Sequence, residues 1–179
     1  MCVDFRDLNK ASLKDDFPLP HIDILVDNII GHALVSFMDG FSRYNKIKMA
    51  PEDMEKTSFI TPWGTYCYKV MPFGLKNVGA TYQRVATTLL HDLIHKEVEF
   101  YVDDMIVKYK DREGHIPALW KFFKRILFYK LQLNPKKCTF GVTSGKLLGF
   151  IVSQRGIEVN PNKIKAILEM KPSRTEKEI

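Results

Sequence analysis

Ten residues, Glu99-Phe100-Tyr101-Val102-Asp103-Asp104-Met105-Ile106-Val107-Lys108, most narrowly limit what this chain can fold into. Apolar and aromatic residues flank two adjacent carboxylates, which predicts a β-hairpin with Asp103 and Asp104 at its turn. A turn selected for stability alone favours Asn-Gly or Asp-Gly, because Gly reaches positive φ without steric cost. Two neighbouring carboxylates also repel, unless a cation lies between them. Such penalties gathered at one spot point to a functional site. A lone Asp-Asp pair is most often a solvated acidic turn, so a third carboxylate is needed to make a metal site.

Leu34-Val35-Ser36-Phe37-Met38 is a near-continuous apolar run ending in Asp39-Gly40, which predicts a buried strand with one carboxylate at its C-terminal tip. If that strand pairs beside the hairpin, Asp39, Asp103 and Asp104 converge at one edge of a sheet. Magnesium takes a few carboxylates together with water and phosphate oxygens. Two such ions about 4 Å apart serve both oxygens of an in-line displacement. A rival lies in His91-Asp92-Leu93-Ile94-His95, one methylene from the zinc-binding His-Glu-x-x-His helix. Helical rotation turns both imidazoles away from Tyr82, Leu89 and Leu93, and Asp is a shorter base than Glu, so a polar helix face is the better reading. Neither a phosphate-cradling glycine loop nor a Gly-x-Ser-x-Gly elbow is present. Tyr44, Trp63, Tyr66, Tyr68 and Phe73 are explained mainly by packing, with one or two able to stack on bases.

At 179 residues and 45% apolar content the chain suits one domain with a real core. No run of eighteen apolar residues and no signal-peptide pattern occurs, which predicts neither membrane insertion nor secretion. Cys2, Cys67 and Cys138 are odd in number and dispersed, so a reducing compartment fits better than a disulfide framework. The net charge of +6 is uneven: residues 1–100 carry 11 basic and 13 acidic side chains, residues 101–179 carry 16 and 8. A basic half beside an acidic centre suits a polyanion track, as it also suits lysine-rich solvated helix faces.

Along the chain, residues 1–9 read as a short strand, Lys14 to Pro20 as a connector, and Ile22, Leu25, Val26 and Ile29 as a helix stopped by Gly31. Short strands are expected over 45–49, 57–61 and 66–70, with Pro62-Trp63-Gly64 as a turn and Pro72-Phe73-Gly74 as a break. Tyr82, Val85, Leu89 and Leu93 predict an amphipathic helix from 79 to about 96, and Leu119, Phe123 and Ile126 another over 116–130. Residues 138–142 and 146–152 read as strands, and Asn160-Pro161 caps a last helix. The mixture lacks strict βαβ alternation, so the expected class is α+β, an antiparallel sheet backed by helices.

Val3-Asp4-Phe5-Arg6-Asp7-Leu8-Asn9-Lys10, Phe37-Met38-Asp39, Met71-Pro72-Phe73-Gly74-Leu75-Lys76-Asn77, Tyr101-Val102-Asp103-Asp104 and Leu147-Leu148-Gly149-Phe150 together resemble reverse transcriptases. The likeness is nearest to the gypsy class of long-terminal-repeat retrotransposons, as found in plants, and covers essentially the whole chain. It implies an RNA-directed DNA polymerase with partial fingers (1–33 and 50–75), a palm (34–49 and 76–152) and the start of a thumb connection (153–179). It further implies nucleotidyl transfer from deoxynucleoside triphosphates to a primer 3′-hydroxyl, with two Mg2+ or Mn2+ ions on Asp39, Asp103 and Asp104.

By the same resemblance Tyr44 is the gate under the incoming sugar, and Phe73 and Gly74 flank the nucleotide. Lys136 or Lys137 protonates the leaving pyrophosphate. Arg6 lies near the template, Tyr101 belongs to the catalytic turn, and Leu147, Leu148 and Gly149 form the primer grip. The implied partners are an RNA or DNA template, a DNA primer and, in a full-length element, protease, ribonuclease H and integrase domains. The implied location is a cytoplasmic virus-like particle.

Three departures from the pattern stand out: no basic fingers strand precedes, no thumb or ribonuclease H region follows, and Arg43, Lys46 and Leu13 replace the usual Gly, Gln and Pro. They are features of a fragment, or of a decayed copy that binds nucleic acid without catalysis.

Overall fold

The computed structural model describes residues 3–40 and 46–170. The elements in order are α1 (Arg6–Ala11), α2 (Ile22–Ile29), β1 (Leu34–Asp39), α3 (Pro51–Met54), β2 (Phe59–Thr61), β3 (Gly64–Tyr66), α4 (Val78–Leu90), β4 (Val98–Tyr101), β5 (Asp104–Tyr109), α5 (Arg112–Phe128), β6 (Thr139–Val142), β7 (Ser144–Leu147), β8 (Phe150–Ser153), β9 (Gly156–Glu158) and α6 (Pro161–Leu168). The central sheet is antiparallel, in the order β4-β5-β1-β6, with β1 between β5 and β6.

Both faces of this sheet are covered, which explains why β1 and β5 are apolar runs rather than alternating ones. On one face Met38, Phe100, Met105 and Val107 pack against Tyr82, Ala86 and Leu90 of α4 and Ala118, Phe122 and Ile126 of α5. On the other, Val35, Phe37 and Ile106 meet Leu25, Val26 and Ile29 of α2, and Leu147 and Val152 of the β7-β8-β9 sheet. The helical backing expected from the sequence therefore has a counterpart, a helix and a small sheet, on the opposite face. No helix among the described residues is long and apolar enough to cross a membrane.

Several expected elements change form. The opening strand is instead helical in α1, where Asp4 Oδ1 accepts the Arg6 N–H at 2.9 Å and Asn9 N–H donates to Phe5 O at 2.8 Å. The predicted 79–96 helix stops at Leu90, because the chain turns through His95, which has φ 64 and donates its N–H to Val98 O. His91 and His95 therefore do not share a helical face. The predicted 146–152 strand is two strands, β7 and β8, folded at Leu148 (φ 48) and Gly149 (φ 83), the paired positive angles of a tight hairpin turn. Residues 46–49 and 67–70 contribute only an isolated Lys48↔Val70 bridge, while α5 begins earlier than expected because Asp111 caps the Gly114 N–H at 2.7 Å.

Candidate active site

The ladder places the carboxylates. In the β1–β5 register Asp39 faces Asp104, and in the β4–β5 register Asp104 faces Tyr101. Directly opposed residues of antiparallel strands share a face, with Cβ atoms about 4.5–5.5 Å apart. Tyr101, Asp104 and Asp39 thus form a row across three strands. Asp104 is the first residue of β5 rather than part of the turn, which consists of Val102 and Asp103. Asp103 is exposed at the tip, and its carbonyl accepts the Gly40 N–H at 3.4 Å, tying the turn to the end of β1.

The turn is held in a costly conformation. Val102 has φ 45, rare for a β-branched residue. Its N–H donates to Oε1 of Gln83 (2.8 Å), a buried side chain on α4. Sequence reading missed Gln83, since it adjoins the apolar stripe and reads as one more polar helix position. Its available signal was a polar residue beside Tyr82 on the face that must meet the sheet.

The segment after α5 wraps the tip of β1. Asn134 N–H donates to Asp39 O (2.7 Å), and the Asn134 side chain accepts the Lys136 N–H to start a 3-10 turn over Pro135–Lys137. That turn directs Lys137, rather than Lys136, to the site: its Nζ lies 3.2 Å from Asp39 Oδ2. A cavity of about 350 Å3 beside this pair is lined by Phe37, Met38, Asp39, Asp104, Met105, Lys137 and Lys146. Among the described residues no three Asp, Glu, His or Cys side chains are gathered closely enough to hold an ion unaided. The donors that do converge are carboxylate oxygens, and among the described residues the Lys137 ammonium pairs with Asp39. That chemistry fits a hard divalent ion completed by water and phosphate oxygens.

The remaining predicted residues are spread around this centre. Gly74 (φ 99) accepts the Asn9 side-chain N–H at 2.8 Å, while Asn9 Oδ1 accepts the Lys76 N–H at 2.7 Å, so α1 fixes the loop that exposes Phe73. Arg6 is exposed and pairs with Asp4 at 2.6 Å, an arrangement of little stability value that leaves the guanidinium able to change partner. Leu147 is wholly buried, and Leu148 and Gly149 form the hairpin tip. Arg43 and Tyr44 lie outside the described residues.

The fold that positions these groups is that of retroviral reverse transcriptase palm and fingers. A foamy viral protease-reverse transcriptase in complex with dsDNA superposes with a TM-score of 0.87 over 99% of this chain and 37% of its own, at 22% identity. The same protein in complex with an RNA/DNA hybrid gives 0.84 over 98% of this chain and 24% of its own, also at 22% identity.

Residues 1–152 match the family model described as reverse transcriptase (RNA-dependent DNA polymerase), and the chain belongs to that family. It is 35% identical to the retrovirus-related Pol polyprotein from transposon opus of Drosophila melanogaster, over all of this chain and 18% of that protein. Against the Pol polyprotein from transposon gypsy of the same organism the identity is 33%, over 94% of this chain and 16% of that protein. The chain thus spans under a fifth of the length of these relatives.

Proposed function

We propose that the chain carries the polymerising centre of a retrotransposon Pol polyprotein, transferring nucleotidyl groups from deoxynucleoside triphosphates to a primer 3′-hydroxyl on an RNA or DNA template. The observation that carries this reading is the Asp39↔Asp104 pairing, with Asp103 one residue away at the hairpin tip. Asp39, Asp103 and Asp104 are the residues to hold two Mg2+ or Mn2+ ions. Bound there, the ions supply activation of the attacking hydroxyl and charge stabilisation at the leaving oxygen.

Around them, the proposed roles are proton donation to the departing pyrophosphate for Lys137, whose ammonium meets Asp39, exclusion of a 2′-hydroxyl for Tyr44, and bordering of the nucleotide for Phe73 and Gly74. Arg6 serves the template, and Leu147 to Gly149 the primer. Residues 1–33 and 50–75 act as partial fingers, 34–49 and 76–152 as palm, and 153–179 as the start of the thumb connection. Protease, ribonuclease H and integrase modules complete the polyprotein, which works in a cytoplasmic particle.

The test is single-turnover extension of oligo(dT) on poly(rA), with protein in excess and Mg2+ or Mn2+ present. Extension that disappears in Asp103→Asn supports the reading. Duplex binding without extension under either metal, unchanged in Asp103→Asn, favours a relic that only binds nucleic acid.

A further inference from the structure

Helix α5 carries two apolar stripes, and among the described residues only one of them is covered. Ala118, Phe122 and Ile126 form the first and are buried in the core. Ile116, Trp120, Phe123 and Leu127 form the second, at intervals of four, three and four residues. At 3.6 residues per turn they fall within an arc of about 60°, roughly 120° round the helix from the first. Ile116 is 73% exposed, Trp120 61% and Leu127 73%. Phe123 is partly buried beside the exposed Phe140 of β6, with ring centroids 6.0 Å apart, which widens the patch. Single exposed apolar side chains are ordinary on a protein surface, but a straight row of four at heptad spacing is the seam of a helix pair. The cations of the same helix are largely committed, Lys121 to Glu97 and Arg125 to Asp92. None of the row lines the cavity at Asp39.

We propose that this row is the contact by which two copies of the chain associate, α5 against α5, antiparallel about a two-fold axis. The row is self-complementary in that sense. With the axis between Lys121 and Phe122, Ile116 lies opposite Leu127 of the second copy and Trp120 opposite its Phe123. Beyond each apolar end, Glu113 of one copy then meets Lys130 of the other, twice over. Both residues are exposed, and neither has an ion-pair partner among the described residues. A parallel pair would instead set Glu113 against Glu113 and Lys130 against Lys130, and would align the helix dipoles unfavourably. A two-fold contact closes on itself, so association stops at the dimer. Four side chains and Phe140 from each copy bury less than about 1,200 Å2 in total, the range of transient contacts, so a dimer that dissociates at micromolar concentration is expected. The pairing does not depend on the polymerase reading.

The experiment is sedimentation velocity of the full chain from about 1 to 100 μM at roughly 50 mM NaCl, where dimer formation doubles the 20.8 kDa mass. The parent is expected to pass from monomer to dimer across this range. Trp120→Gln should weaken association by about tenfold or more with an unchanged melting temperature, because its ring is exposed. Phe128→Gln, 76% exposed on the same helix but off the row, should leave association unchanged. Glu113→Lys and Lys130→Glu should each weaken it by about fivefold when alone. An equimolar mixture of those two should recover the parent's affinity, since every cross-copy pair is then a lysine facing a glutamate. A parent that stays monomeric throughout overturns the pairing and leaves a different helix as the cover of the row. Association untouched by Trp120→Gln places the interface elsewhere and overturns it equally. A mixture that associates no more tightly than its components overturns the antiparallel register.

Discussion

Glu99 and Lys108 form a buried ion pair at the base of the β4–β5 hairpin, with Nζ 2.8 Å from Oε1 and both side chains at most 2% exposed. They are diagonal neighbours on the face that carries Asp104, since Glu99 lies opposite Ile106. Lys108 also donates to Asn28 O of α2 at 2.6 Å, and His95 Nδ1 lies 3.0 Å from the other Glu99 oxygen. A one-residue slip of β4 on β5 would break this pair and alter the alignment that puts Tyr101 beside Asp104. Lys108→Met should destabilise by about 3–5 kcal/mol in urea unfolding, because it strands a buried carboxylate. The double variant Glu99→Leu/Lys108→Met should recover most of that loss. A single-variant cost of about 1 kcal/mol or less, the range of an exposed pair, would show that the charges are solvated.

Gln83 should matter for catalysis more than for folding. Gln83→Leu removes the acceptor for the Val102 N–H and frees the turn from a backbone angle that costs of order 1–3 kcal/mol. Extension is expected to fall by on the order of a hundredfold, the effect of about 1 Å of misplacement, while the circular dichroism spectrum is retained. Gln83→Glu, which keeps the acceptor oxygen, should retain more activity than Gln83→Leu. Equal losses in the two would mean that the contact with Val102 does not set the turn.

The carboxylate row predicts opposite responses from two neighbours in a cation titration. Asp103→Asn should abolish Mg2+- or Mn2+-dependent binding of dTTP, followed by calorimetry. Lys137→Met should tighten cation binding a few-fold, since its ammonium no longer occupies Asp39 Oδ2, yet it should slow extension. An Asp103→Asn titration indistinguishable from the parent's would remove the case for a shared metal site.

His115 gives the fold a pH limit. Its imidazole is buried at the start of α5, with Nε2 2.8 Å from Ser36 Oγ, which in turn accepts the Gly141 N–H at 3.0 Å. Burial pushes its pKa below the ordinary value of 6.5. The unfolded chain therefore binds the extra proton first, so this contribution is complete above about pH 6.5 and declines as pH falls below it. The melting temperature should drop between about pH 7.5 and pH 5.5, and the drop should shrink in His115→Gln. An equal drop in that variant would assign it to other groups.

The hairpin, the strand that ends in Asp39, the existence of helices α2, α4, α5 and α6, and the family are legible in the sequence alone, because each is written in local periodicity or in adjacent residues. Asp103 and Asp104 were visible as a pair for the same reason. The tertiary structure decided what depends on residues distant along the chain. It separated the two acids into turn and strand, chose Lys137 over Lys136 through the Asn134 turn, and brought Gln83 under Val102. It also turned the first predicted strand into α1, whose Asn9 holds the loop at Gly74, and bent the expected 146–152 strand at Leu148-Gly149. Local propensity cannot settle such cases: a short segment with few apolar positions is nearly neutral between helix and strand, and the packing partner tips the balance. Gly145 shows the limit most directly, since only the Phe37 ring lying against its backbone explains why no side chain stands there.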